Sequence, residues 1–513
     1  MNPISRQVLR KFKRQIQKRL AGPILQPRLD PIFTATNIHY EVADRTRGLN
    51  CAGIGVIHQM ARAVGLIDAL DQNIHLLKVH LPYHESDHIL NIAYNFLTGG
   101  TCLEDLELRR NDAVYMDALG ARRIPDPTTA GDFCRRFETD AQIVTLMETI
   151  NQVRLKVWKQ QKPEFFARAV LHADGTIAPT GGECKQGMDM SYNGHWSYHP
   201  LLISLANTKE PLYLVNRSGN RPSHEQADVY LDKAIALCRQ AGFLEILMLG
   251  DTDFTQTWKL DGWDDAGDVK FIFGVDAMPG LKRRAGELPE SAWKRLARPP
   301  RYEVKTQERT KPQNVKEPIV RARGYKNLVL QCEDVAEFNY RPGHCNRDYR
   351  VVALRKLISV EKGQAQLFTR YRYFFYITND RTRSAEEIVF SANDRCDQEN
   401  LIAQLKSGVH ALTTPVGDLV SNWAYMVMAS LSWSLKAWTA LLVPVSPRHA
   451  KKHEAEKRRL LRMEFRTFCA AMIQMPCQIV RTAGRLIYRL LSWNPWQGVF
   501  LRLVEHLQGR QLC

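Results

Sequence analysis

Apolar residues along this chain follow two rhythms, and the change between them divides it. Up to about residue 150 the spacing is helical. Ile54, Ile57, Met60, Ala61, Val64 and Ile67 share one face, although Gly53, Gly55 and Gly65 weaken a continuous helix. Asp87 to Leu97 carries a second such face. Pro125-Asp-Pro127 then breaks the chain, and Thr128 or Thr129 is expected to cap a helix through Phe133, Cys134 and Phe137. From Ala169 the pattern becomes strand-like. Ala169 to Ala173, Leu201 to Ala206 and Pro211 to Val215 are apolar runs of strand length, with Thr208-Lys-Glu210 as a hairpin connection. Ser223 to Ala241 reads as a helix, with Ser223 as N-cap and Gln226 completing a capping box. Leu244 to Leu249 and Val269 to Val275 are further strands separated by a short helix. The order strand, strand, strand, helix, strand, helix, strand predicts a mixed α/β sheet covered by helices.

Residues 281 to 370 interrupt that order. Arg283-Arg284, Pro299-Pro300, Lys305 to Arg309 and Arg321-Ala-Arg323 accompany strand-like runs at Asn327 to Leu330 and Val351 to Leu354. A stretch this long inside a compact fold is expected to be a basic, β-rich insertion rather than a loop. Tyr371 to Thr378, rich in aromatic and β-branched residues, returns the chain to the core, and from Leu401 onward the pattern is helical. Leu419 to Val443 is long enough to span a bilayer, but Asn422, its serines and Lys436 favour a buried helix, so no membrane partner is expected.

Charge narrows the partners. The 513 residues carry 71 Lys and Arg against 54 Asp and Glu, a formal charge of +17, which suits a phosphate polymer. Eleven cysteines without paired spacing argue against a disulfide framework or zinc module, and the basic stretch Arg10 to Lys18 replaces any apolar secretion segment. A reducing cytoplasm is the expected setting. The resulting division is 1–150 helical and DNA-binding, 165–280 first part of the core, 281–370 insertion, 371–445 completion of the core, and 446–513 basic and helical.

Three acids are placed to do chemistry. Asp174 closes the run Ala169-Val-Leu-His-Ala-Asp-Gly-Thr176, and Asp251 closes Leu247-Met-Leu-Gly-Asp-Thr-Asp253. Loops beyond a sheet edge present a carboxylate without burying its charge, although a turn-forming Asp gives the same local pattern. Asp251 and Asp253 share one turn; Asp251, nearer the strand, is the better ligand, and the other is free to cap the following helix. Glu399 follows Arg395 by four residues, and a helix from about Asp394 would align both with Lys406. Three such carboxylates can hold two divalent cations for phosphoryl chemistry, with Arg395 and Lys406 on the DNA strand.

These residues resemble those of a cut-and-paste DDE transposase of bacterial insertion sequences, the group whose nuclease core carries a β-rich insertion. Leu171-His-Ala-Asp-Gly-Thr176 resembles the first acidic motif and Leu249-Gly-Asp-Thr-Asp-Phe254 the second. Arg395-x3-Glu399-x6-Lys406 matches most of the signature Tyr-x2-Arg-x3-Glu-x6-Lys, with Ala392 where the tyrosine is expected. Tyr198-His-Pro-Leu-Leu202 and Arg217-Ser-Gly-Asn220 resemble core phrases of the same group. The resemblance implies a ribonuclease-H-like core in which Asp174, Asp251 and Glu399 hold magnesium, with manganese as a substitute. It also implies a homodimer or larger assembly that pairs inverted terminal DNA ends and joins them to target DNA by transesterification. Arg321 and Arg323 of the insertion are expected to bind DNA. A DNA endonuclease without strand transfer, or a non-enzymatic DNA-binding protein, is the alternative.

Other signals compete. His84-Glu-Ser-Asp-His88 matches the zinc-protease pattern H-E-x-x-H, but no third ligand accompanies it. His172, His195 and His199 lie near the first acid, and packed or hydrogen-bonded roles are expected for them. Trp423, Trp433, Trp438, Trp493 and Trp496 are expected in the core or at a protomer contact rather than as base-stacking platforms. The basic run Arg448 to Arg466 is balanced between DNA contact and a solvated helix.

Overall fold

Among the described residues, nine strands form one sheet whose order decides where the acids go. The computed structural model describes residues 3–21, 35, 38–42, 46–182, 184–298, 326–362, 365–482 and 484–510. In chain order the strands are β1 (Ala169–Gly175), β2 (Leu201–Leu205), β3 (Glu210–Val215), β4 (Ile246–Gly250), β5 (Val269–Val275), β6 (Lys294–Arg295), β7 (Lys326–Tyr340), β8 (Tyr349–Lys362) and β9 (Ala365–Thr378). Their order across the sheet is β6-β7-β8-β9-β5-β4-β1-β2-β3. β4 runs parallel to both β1 and β5, whereas the β1–β2, β2–β3 and β5–β9 pairs are antiparallel. The stretch β3-β2-β1-β4-β5 is the ribonuclease-H-like core, and the insertion continues that sheet outward from β5. Lys305 to Arg309, Arg321 and Arg323 lie outside the described residues.

Alternation along a central strand shows why both faces need helical cover. In β4, Ile246 and Met248 join the large core on one face, while Leu247 and Leu249 join a smaller one on the other. α1 (Glu85–Leu97), α2 (Asp140–Trp158) and α3 (Ala227–Ala241) belong to the first face. α4 (Ala385–Asp394) covers the second through Ile388 and Val389 and leads into α5 (Cys396–Ala403). α6 (Leu419–Leu442) packs against α1, α2 and β3 and is buried from Ser421 to Leu442. Among the described residues no single helix is long and apolar enough to cross a membrane.

The tryptophans of α6 are tied to the edge of the sheet by their ring nitrogens. Trp423 donates to the Leu214 carbonyl and Trp433 to that of Lys209, the latter at 2.6 Å. Trp438 donates to Glu210 Oε1 at 2.7 Å, and Trp158 of α2 donates to Glu210 Oε2 at 3.0 Å. Arg154 completes this buried centre, its Nε 2.9 Å from Glu210 Oε1 and its Nη2 2.8 Å from the Pro211 carbonyl. An ion pair is tolerated at this depth because Arg154 Nε and two indole nitrogens donate to the carboxylate while the other guanidinium nitrogens find neutral acceptors.

Several helix boundaries differ from the sequence reading, each for a local reason. The expected run Ile54 to Leu70 is two helices, Gly53–Ala63 and Leu66–Asn73, because Gly65 adopts a left-handed φ of 74°. Neither Thr128 nor Thr129 caps the next helix; Asp126 does, accepting from the Thr129 amide at 2.8 Å with Pro127 in the first turn. α3 begins at Ala227 rather than Ser223. Arg217 draws the carbonyls of Pro222, Ser223 and Glu225 onto its Nη1 at 3.1, 3.0 and 2.7 Å, which holds that segment as a loop.

Candidate active site

Parallel pairing brings two of the acids to one edge. β1 and β4 run side by side with His172 opposite Leu249, and continuing that register sets Asp174 level with Asp251. Asp251 is the first residue after β4; its Oδ1 accepts the Asp253 amide at 3.0 Å, so one residue both caps the short turn and faces the site. Asp253 itself is exposed.

The third acid arrives on a helix anchored one strand away. α4 and α5 meet at Arg395, whose backbone stays helical at φ −53° and ψ −25°. Gln398, 1% exposed, donates from Nε2 to the Leu202 carbonyl at 3.2 Å and accepts from the Ser204 hydroxyl. Leu202 is the residue paired with Asp174 across β1 and β2. Gln398 therefore fixes α5 against the strand next to the first acid, and Glu399 follows it directly. Lys406 lies in a π-helical turn, Gln404–Gly408, so the straight-helix alignment of Arg395, Glu399 and Lys406 is not kept.

Arg395 gathers the three acids. Its Nη1 lies 3.5 Å from Asp174 Oδ2 and 3.6 Å from Asp251 Oδ2, and its Nη2 lies 3.8 Å from Glu399 Oε1. Residues 49–512 match the family described as transposase DDE domain group 1. The chain belongs to that family. A solved piggyBac transposase synaptic complex with hairpin DNA contains a similar chain at 9% identity and a TM-score of 0.35, covering 83% of this chain and 82% of that one. A likeness that remote bears on neither mechanism nor partners. No curated protein matches the sequence.

The electrostatics of this DDE-family site centre on the first acid. Burial pushes the Asp174 carboxyl up to about 7; Arg395 opposes that rise, while Asp251 and Glu399 add to it. Asp251 is raised as well, by burial and then by Asp253 and Asp276, against the pull of Arg395 and its own backbone bond. Partial desolvation draws the Lys406 ammonium down, and the Asp174 carboxylate draws it back up. These are carboxylates short of positive charge.

A divalent ion would supply that charge, and three carboxylates are the hard oxygen donors that magnesium or manganese takes. Among the described residues, however, no three His, Cys, Asp or Glu side chains are gathered into a formed cage. The guanidinium stands among the carboxylates, and Glu399 is the most open of them, with 61% of its side chain exposed. The donor chemistry fits; the closed geometry would require Arg395 to move aside.

Of the remaining sequence candidates, His199 and the H-E-x-x-H residues are held by structural contacts, whereas the buried Nε2 of His172 has no hydrogen-bond partner among the described residues. His172 is buried, and burial lowers its imidazole to about 4, so it is neutral at physiological pH. His199 is held by a 2.9 Å contact from Nδ1 to the Arg221 carbonyl and packs against Gly175, where a Cβ would lie 2.9 Å from Nε2. His195 is exposed. In the H-E-x-x-H sequence, His88 stacks on Phe133 with ring centroids 4.3 Å apart, while Glu85 accepts the Leu76 and Leu77 amides at 3.0 Å each. His84 precedes α1 as its cap, so these residues start a helix.

Sequence reasoning missed part of the surroundings. A cavity of about 770 Å³ beside Asp251 and Arg395 is also lined by Asp276, Lys282, Arg372 and Tyr373. Asp276 follows the apolar run of β5 as Asp251 follows that of β4, so the same strand-end signal was there to find. The cations of β9 alternate with aromatic residues along the wall of this cavity. Gln398 had no signal of its own, because its role depends on the neighbouring strand.

Proposed function

We propose that this chain is a metal-dependent DNA transposase that cuts at inverted terminal ends and joins the freed ends to target DNA, working as a homodimer or larger assembly. The observation that carries this reading is the convergence of Asp174, Asp251 and Glu399, from two parallel strand ends and a helix, on one cation. Asp174, Asp251 and Glu399 would hold magnesium, with manganese as a substitute. Bound there, divalent ions supply Lewis-acid activation of water or a DNA 3′-hydroxyl and charge stabilisation on the departing oxygen.

The side chains supply the rest. Burial raises the Asp174 carboxyl to about 7 even beside Arg395, so further positive charge would favour its ionised form and couple deprotonation to loading of the site. Arg395, once released by the carboxylates, is a planar donor pair suited to a phosphate, and Lys406 is a point charge for the same strand. The cavity beside Asp251 gives the backbone a route along basic and aromatic residues.

A supercoiled plasmid bearing matched candidate ends tests this reading. Paired excision products and strand transfer are expected, each lost together in Asp174→Asn, Asp251→Asn and Glu399→Gln proteins that still bind DNA. Asp253→Asn should retain substantial activity, and Lys406→Ala should show a positioning defect milder than loss of an acid. Near-normal cleavage by any of the three acid variants would overturn the assignment. Uniform degradation regardless of end sequence would replace transposition with a nuclease.

A further inference from the structure

The helix Pro3–Leu20 carries cations on one side and apolar residues on the other. Its 18 residues contain Arg6, Arg10, Lys11, Lys13, Arg14, Lys18 and Arg19 and no Asp or Glu. Two stripes run along it at four-residue spacing. Arg6, Arg10, Arg14 and Lys18 form one; Val8, Phe12, Ile16 and Leu20 form the other, offset by two residues and therefore on the opposite side. All four cations of the first stripe are exposed. In the second, Val8, Ile16 and Leu20 are exposed and Phe12 is partly covered.

Position adds to composition. Residues 1–48 precede the matched span 49–512, so this helix is appended to the family's domain. Lys13 Nζ lies 5.9 Å from the centre of the Trp493 ring, which places the helix beside the segment that follows the strand Arg485–Leu490. That strand exposes Arg485 and Arg489. The helix therefore brings its cations to the C-terminal part of the chain, far in sequence from the three acids.

We infer that Pro3–Leu20 is a DNA-docking arm whose Arg6, Arg10, Arg14 and Lys18 stripe binds the phosphate backbone of duplex DNA, an inference that rests on the transposase reading. From Arg6 to Lys18 the stripe runs about 18 Å along the helix, longer than the roughly 12 Å width of a major groove. It can therefore meet phosphates on both sides of that groove. Contacts of this kind carry no sequence information; they add affinity and hold the domain in register while other residues discriminate between ends.

The test compares the full-length protein with an Arg6→Gln, Arg10→Gln, Arg14→Gln and Lys18→Gln variant. Glutamine keeps helix propensity while removing charge. Binding of a fluorescent duplex is measured over a salt series, and sedimentation with phosphatidylserine vesicles is measured in parallel. Each phosphate contact contributes about 0.9 to the slope of log affinity against log salt, so the slope should fall by about 3 to 4. It should fall alike for end-bearing and random duplexes. An unchanged slope in a variant of folded protein overturns the arm. An unchanged DNA slope with lost vesicle binding assigns the helix to an anionic membrane surface instead. Failure of the unmodified protein to bind any duplex overturns the transposase reading as well, which separates the two failures.

Discussion

Asp174→Asn should make the protein more stable and inactive at once. The carboxyl of Asp174 is raised from its ordinary 3.8 to about 7, chiefly by burial, and only 14% of the side chain is exposed, so solvent screens it little. Between those two values the folded chain binds more protons than the unfolded chain, so stability falls as pH rises through that window. The penalty is complete above about 7 and absent below 3.8. A shift of roughly three units corresponds to a ceiling of about 4 kcal/mol. Asparagine keeps the shape and removes the charge; the ceiling already includes the attraction of Arg395, and discounting it for solvent screening leaves an expected net gain of about 1 to 3 kcal/mol. Urea or thermal melts in chelator should show the variant ahead of the unmodified protein at about pH 8, with the gap closing towards about pH 4. Added magnesium should stabilise the unmodified protein and narrow the gap. A variant that melts at or below the unmodified protein at about pH 8, or an offset that ignores pH, would refute the reasoning.

Further outcomes follow from the same contacts. Glu210→Leu strands Arg154 in the core and leaves two indole donors unpaired, and should cost about 3 to 5 kcal/mol; a loss below about 1 kcal/mol in urea melts would show that the centre is not organised by that carboxylate. Gln398→Leu should lower turnover by about a hundredfold with DNA affinity retained, because α5 loses its anchor and Glu399 its place; a parallel loss of binding would argue for general damage. His88→Phe should preserve the stack on Phe133 and leave folding and cleavage intact, whereas loss of stoichiometric zinc on that change would revive a zinc site. Arg321→Ala with Arg323→Ala should reduce the salt slope of DNA binding by up to about 2, read by anisotropy, and an unchanged slope would remove both from the interface.

How much of the fold could be read beforehand depended on whether its cause was local. β5 is legible to the residue, Val269 to Val275, because a strand buried on both faces is a mostly apolar run, broken here only by Lys270 near its start. The strands of the insertion were read only in part. Asn327 to Leu330 and Val351 to Leu354 lie within strands of 15 and 14 residues, respectively. The missing lengths carry charges that look like loop in one dimension. In the sheet Glu333 pairs with Lys356 and Asp334 with Arg355, each ion pair at 3.1 Å, so opposite charges meet across the ladder. The start of α3 differs for the converse reason, since Ser223 has the form of a cap but its carbonyl serves Arg217.

The site divides in the same way. A strand-end carboxylate leaves a mark in sequence because the run before it is apolar, and Asp174 and Asp251 were found by that mark. Asp276 bears the same mark after β5. For Arg395 the spacing to Glu399 places both on one helical face, whereas the side chain reaches Asp174 and Asp251 as well as Glu399. That reach depends on Gln398 seating α5 against β2, and no one-dimensional pattern contains it. The consequence is electrostatic. Carboxylates drawn together in a partly buried site require a neighbouring cation, and an arginine one turn before the third acid provides it within the fold. In the proposed function the same guanidinium, released by the carboxylates, would be placed beside a phosphate. A single Arg-x3-Glu spacing thereby balances the three acids within the fold and, in the proposed function, would supply a phosphate donor as well.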